Sequence, residues 1–162
     1  MTFSQTQHHM GTEVEISIFD TTVPQEKIKS DIKSAFQIFQ NMQQEFSRFQ
    51  QDSCLTKLNE KKSAEVSDIF LEVLQKSQYF FELTGGYFNP LISLESIGYD
   101  KSFTHLPKER KEYSFSPTEE YDFQNIRIED HTVHLKAEHN LDFGGIVKGY
   151  TVDTVRDFFW EQ

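Results

Sequence analysis

The sequence predicts an α+β fold, a mostly antiparallel sheet with amphipathic helices packed against it. Three observations predict it. Val14, Ile16 and Ile18 alternate with Glu13, Glu15 and Ser17, the period of a half-buried strand, and a second alternation runs from Ile126 to Leu135. Between them, apolar residues recur at threes and fours over two long stretches, the period of core-facing helices. The elements run strand, two helices, hairpin, strand, helix, without internal repeat, low-complexity tract or linker, so residues 1–162 read as a single domain.

Met10 to Phe19, M-G-T-E-V-E-I-S-I-F, is the first predicted strand. The adjacent His8 and His9 read as surface residues, because neighbouring side chains diverge on a strand and no third metal ligand accompanies them. A helix follows, opened by Pro24 in its first turn, with Ile28, Ile32, Ala35, Phe36, Phe39, Met42 and Phe46 on one face. Phe46 to Asn59, F-S-R-F-Q-Q-D-S-C-L-T-K-L-N, reads as a loop and a short helix capped by Asp52 or Ser53, with Leu55 and Leu58 facing inward. A second long helix runs from a cap at Ser67 to about Thr84, apolar at Ile69, Val73, Leu74, Phe80 and Phe81, with Gly85 placed to end it. From Leu91 to Gln124 the pattern weakens. Pro107, Pro117 and the charged run Lys108 to Glu112 read as a solvated loop. Ile126, Ile128, Val133 and Leu135 form a hairpin about a turn near Glu129 to His131, and His131, His134 and His139 read as surface positions.

A chain of 162 residues can bury a real core, and 16 Phe make that core ring-rich. The formal charge of −10 and the isoelectric point near 5.0 argue against nucleic acid or an anionic membrane surface as partner, so any phosphate site must be local. The single cysteine, Cys54, allows no internal disulfide and reads as a half-buried small apolar residue. Met1 to Met10 is polar and lacks the basic start and apolar run of a signal peptide, and no stretch is apolar enough to span a membrane.

The chemistry concentrates at Leu141 to Asp153, L-D-F-G-G-I-V-K-G-Y-T-V-D. An extended approach, Leu141 to Phe143, reads as a strand that enters paired glycines and then a helix. Glycines at such a turn let a ligand approach the backbone, and the first-turn N–H groups favour an anion. Lys148 can reach the same anion, and Asp142 is placed to receive a metal, a hydroxyl or a ring nitrogen. The order of residues is not that of a Walker loop.

D-F-G-G-I-V-K-G-Y-T-V-D resembles the signature of the ApbE-type flavin transferases, the FAD:protein FMN transferases. Three further segments, in family order, extend the resemblance: M-G-T at Met10, F-S-R-F-Q-Q-D-S-C-L-T-K-L-N, and T-G-G-Y-F-N-P from Thr84 to Pro90. The resemblance implies that Met10, Phe49, Tyr87, Phe88 and Asn89 hold the flavin nucleotide. It further implies that Asp142 and Lys148 contact FAD and act in catalysis, and that the backbone carbonyl of Gly145 binds Mg2+. Asn89 stands where the family usually has Asp, which removes a negative charge but keeps a donor and an acceptor.

The reaction so implied moves FMN from FAD to a Thr or Ser hydroxyl of a target flavoprotein and releases AMP, with magnesium neutralising the phosphates. Many relatives are exported lipoproteins; without a leader or a lipid-bearing cysteine this chain is expected in the cytoplasm. The resemblance covers nearly all of this chain but only the N-terminal half of the family's length. The aromatic end, Phe158-Phe159-Trp160, calls for a covering layer. The expectation is therefore a truncated or split copy with impaired turnover. Alternatives are a non-catalytic FAD-binding remnant and one subunit of a homodimer or of a two-chain enzyme completed by a C-terminal chain.

Overall fold

The computed structural model describes residues 2–19, 22–91 and 122–161. Strands β1 (Phe3–His9) and β2 (Thr12–Ile18) form an antiparallel hairpin with Phe3 opposite Ile18 and His9 opposite Thr12. The strand expected to start at Met10 thus starts after it. Met10 and Gly11 form the turn, both at positive φ (52° and 75°), as a tight hairpin of this hand demands. F-S-Q-T-Q-H-H carries little apolar alternation, which hid β1. His9 departs from its expected surface position: it is half-buried, its ring stacked on Phe36 and Phe39 at 5.7 and 5.9 Å.

Helix α1 (Gln25–Phe46) follows Pro24, and the seven residues expected on its inner face are its seven buried residues. At 22 residues it is about 33 Å long and spans two apolar clusters. Up to Phe39 it packs Ile28, Ile32, Ala35, Phe36 and Phe39 against the β1–β2 hairpin, while Met42 and Phe46 enter the larger core. The short helix α2 (Cys54–Lys61) is capped by Ser53, whose hydroxyl accepts the Thr56 N–H at 3.0 Å, and buries Leu55 and Leu58. Lys62, at φ 62°, turns the chain into β3 (Ser63–Glu65). That three-residue strand was not readable in S-A-E, and it pairs with β5. Helix α3 (Asp68–Leu83) starts at the Ser67 cap and turns Phe70, Val73, Leu74 and Ser77 inward, leaving Ile69 and Phe80 partly exposed at 42% and 40%.

The expected hairpin is present as β4 (Arg127–Glu129) and β5 (Thr132–His134), preceded by a 3₁₀ turn at Phe123–Asn125, and the sheet order is β3-β5-β4. His139 is fully buried rather than at the surface, its segment tied to the C-terminal end of α2: Lys62 Nζ donates to the His139 carbonyl at 2.7 Å and to Asn140 Oδ1 at 2.8 Å. The loop expected around Pro107, Pro117 and Lys108 to Glu112 lies outside the described residues. Helix α4 (Val147–Trp160) closes the fold against α1. Phe158 and Phe159 are half-buried on the α1 cluster, so of the three terminal rings only Trp160, 81% exposed, lacks cover within the described chain.

Three rings fix the centre. Phe46 of α1 stacks on Phe70 of α3 at 5.2 Å, and Phe143 meets both edge-on at 5.6 and 5.4 Å. Such arrangements are favourable beyond their buried area. They also seat the D-F-G-G turn directly on the core.

Candidate functional site

Leu141 to Phe143, expected as a strand, has no regular secondary structure and belongs to neither sheet. A side chain replaces the missing neighbour: Asn59 Oδ1 accepts the Leu141 N–H at 2.8 Å and Asn59 Nδ2 donates to the Leu141 carbonyl at 2.9 Å. The Asp142 N–H then donates to the Pro90 carbonyl at 2.8 Å. The three internal motif segments therefore meet at two successive residues, one through Asn59, one through Pro90, and one supplying Leu141 and Asp142 themselves.

Asp142 is the focus of the turn. Its Oδ1 accepts the Gly144 N–H at 2.9 Å, which bends the chain into the helix. Its Oδ2 is buried without a hydrogen bond and lies 3.4 Å from Arg48 Nε. Arg48 in turn sits over the Phe49 ring, 4.5 Å from its centroid, and Phe49 is 56% exposed. Phe49 thus offers one face to its neighbour and keeps surface available for another ring.

On the other side of the turn, Gly145 lies against Phe88. A Cβ at position 145 would come within 3.2 Å of the Phe88 ring, so glycine permits this close approach. Phe88 also meets Phe80 edge-on at 6.3 Å. The corner that delivers it is set by Gly85 and Gly86 at φ 60° and 85°, and the Thr84 hydroxyl accepts the Phe88 N–H at 3.0 Å. Asn89 Oδ1 accepts the Leu91 N–H at 3.0 Å, a local turn bond that a carboxylate could equally make. Tyr87 projects outward at 95% exposure.

Lys148 is exposed in the first turn of α4, where no side chain caps the helix. Met10 meets the same helix further along: its Sδ lies 3.8 Å from Thr151 Oγ1, and its N–H donates to Gln43 Oε1 at 2.8 Å. The structure therefore gathers Phe49, Asp142, Gly145 and Phe88 about one turn, and seats Met10 beside α4 at Thr151 rather than at the turn.

Two open clefts flank the turn. One, of about 390 Å³, is lined by Arg48, Thr56, Asn59, Lys62, Asn140 and Leu141. The larger, of about 740 Å³, lies between α3 and α4 and includes Phe80, Thr84, Phe88, Gly145, Gly149 and Tyr150. There the Tyr150 hydroxyl donates to Glu72 Oε2 at 2.7 Å, and burial together with the Glu72 carboxylate pushes its pKa up to about 12. Tyr150 is thus a fixed donor at neutral pH. Arg48 and Glu72 escaped the sequence reading. The signal for Arg48 was its place between Phe46 and Phe49 in a motif segment, whereas nothing in the surrounding sequence marked Glu72.

Among the described residues no group of three or more His, Cys, Asp or Glu could hold a metal. The Gly145 carbonyl alone does not make a magnesium site, because that ion demands several oxygens in near-octahedral array. Nor is any described helix long and apolar enough to cross a membrane.

The fold is that of ApbE proteins of known structure. The crystal structure of the ApbE protein from Thermotoga maritima superposes with a TM-score of 0.78 at 21% identity, covering 98% of this chain and 52% of that one. The flavin transferase ApbE from Vibrio cholerae gives 0.78 at 19% identity, covering 100% and 54%. The ApbE family model matches residues 10–162, and the chain belongs to the ApbE family. The FAD:protein FMN transferase of Treponema pallidum is 25% identical over 168 residues, covering 94% of this chain and 45% of the relative. The chain thus spans about half the length of the relatives it matches.

Proposed function

We propose that this chain carries the flavin-nucleotide face of an FAD:protein FMN transferase. The observation that carries the reading is the convergence of the motif segments on one turn: the Pro90 carbonyl on the Asp142 amide, the Phe88 ring on Gly145, and Arg48 on Asp142. Phe49 and Phe88 supply exposed or half-buried ring faces for the nucleotide's flat groups, with Tyr87 and Asn89 flanking Phe88 and Met10 further along α4 at Thr151. Lys148, beside the helix N-terminus, meets the pyrophosphate charge. Asp142 positions the nucleotide through its carboxylate.

In the proposed reaction a Ser or Thr hydroxyl oxygen of a target flavoprotein attacks the FMN phosphorus of FAD. The bond from that phosphorus to the bridging oxygen breaks, AMP leaves with that oxygen, and the hydroxyl proton is lost to solvent or a base. The site's share of this work is alignment of the pyrophosphate and neutralisation of its charge. Magnesium at the Gly145 carbonyl would require further oxygen ligands beside it.

The test incubates the chain with FAD, magnesium and an acceptor protein, and follows AMP release by chromatography and flavin retained on the denatured acceptor. AMP formed in step with covalent flavin supports the transferase. FAD binding without either product would instead make the chain a nucleotide-binding module.

A further inference from the structure

We infer that Arg48 is a positioning residue, one guanidinium that holds the Asp142 carboxylate and the Phe49 ring in a single array that receives the flavin nucleotide. The inference rests on the nucleotide reading above and says what the Arg48 contact does in it.

Asp142 has two carboxylate oxygens with different fates. The Gly144 N–H occupies Oδ1, and Oδ2 is buried with no hydrogen bond; the side chain is only 7% exposed. A carboxylate so far removed from water is costly unless a cation stands beside it. Arg48 Nε does so at 3.4 Å, and its own side chain is only 17% exposed. The pair is therefore largely shielded from solvent, where its attraction is screened less than at a surface.

The same guanidinium lies 4.5 Å above the Phe49 centroid. A planar cation stacked on a ring fixes the ring's plane as well as its own. Arg48 thus couples two groups from distant segments, the ring after it and the carboxylate of the D-F-G-G turn. It also resolves a conflict in the proposed site, since an uncompensated Asp142 carboxylate would repel the pyrophosphate that Lys148 attracts. A lysine could supply the charge but not the flat stack.

The experiment compares wild type with R48M, which keeps an apolar side chain over Phe49, and R48K, which keeps the charge. Two readouts are taken: hydrogen exchange of the Gly144 amide by NMR in the absence of FAD, and FAD affinity by fluorescence anisotropy. Thermal melting confirms that each variant is folded. R48M is expected to speed Gly144 exchange severalfold and to weaken FAD binding by about tenfold, the size of a lost charge-assisted contact. R48K is expected to restore Gly144 exchange to near wild type and to recover FAD affinity only in part. Unchanged Gly144 exchange in folded R48M overturns the inference, whatever FAD does. A wild-type chain that binds no FAD, with Gly144 still responding to R48M, overturns the flavin reading and leaves Arg48 as the residue that positions Asp142.

Discussion

Asn59 is the residue on which the geometry of the turn depends most. Leu141 is 1% exposed, and its N–H and carbonyl find their partners in one side-chain amide. N59A would leave two buried backbone groups unpaired, each worth about 1–3 kcal/mol. The expected loss is about 2–4 kcal/mol in urea unfolding, and a loss below about 0.5 kcal/mol would mean that the backbone relaxes to other partners. Gly145 is the opposite case. Its Cβ would press on the Phe88 ring at 3.2 Å, and that ring is half-buried, so it can yield by a few tenths of an ångström. G145A should therefore cost about 1 kcal/mol of stability, the low end for an overpacked contact, while displacing Phe88 and weakening FAD binding, a split that parallel melting and anisotropy measurements would reveal.

At the scale of elements, the caps decide where the motif segments begin and end. Ser53 is fully buried, accepts from Thr56 N–H and donates to the Ser47 carbonyl, so it ties the F-S-R-F loop to α2. S53A should cost about 1–2 kcal/mol by chemical denaturation. A second elemental link is electrostatic. His131, in the β4–β5 turn, lies 2.8 Å from Asp68 in the first turn of α3, and the hydrogen bond to Asp68, aided by its charge, raises the His131 pKa above 6.5. The stabilisation this link contributes is full below the unfolded value of 6.5 and is lost as pH rises through the folded value. His9 works in the opposite sense, since burial lowers its pKa, so its contribution is present above 6.5 and fades as pH falls. H131N should therefore remove the acid-side gain and leave a profile that declines more steeply below pH 6.5. An unchanged profile would show that the surface pair contributes nothing.

Over the whole molecule, what was legible followed from periodicity. The inner face of α1 was readable residue for residue because seven apolar side chains recur at helical spacing, and the β4–β5 hairpin because its apolar residues alternate about a polar turn. Strands β1 and β3 were not readable, since F-S-Q-T-Q-H-H and S-A-E owe their state to backbone pairing rather than to pattern. The same distinction holds for the site. Glycines, Asp142 and Lys148 stand in one continuous motif, whereas the Arg48–Asp142 pair and the Asn59 clamp join residues that only the folded chain brings together. What points to a ligand at this turn is the convergence of the motif segments on it, with Arg48 held against Asp142 and Lys148 exposed in the first turn of α4. The measurement that tests this most directly is an FAD titration of the chain by fluorescence anisotropy, repeated with D142A and K148A. Saturable binding, weakened about tenfold or more by each substitution, is the predicted result. No saturation at any accessible FAD concentration, or binding indifferent to both substitutions, would contradict the assignment of this turn as the flavin-nucleotide site.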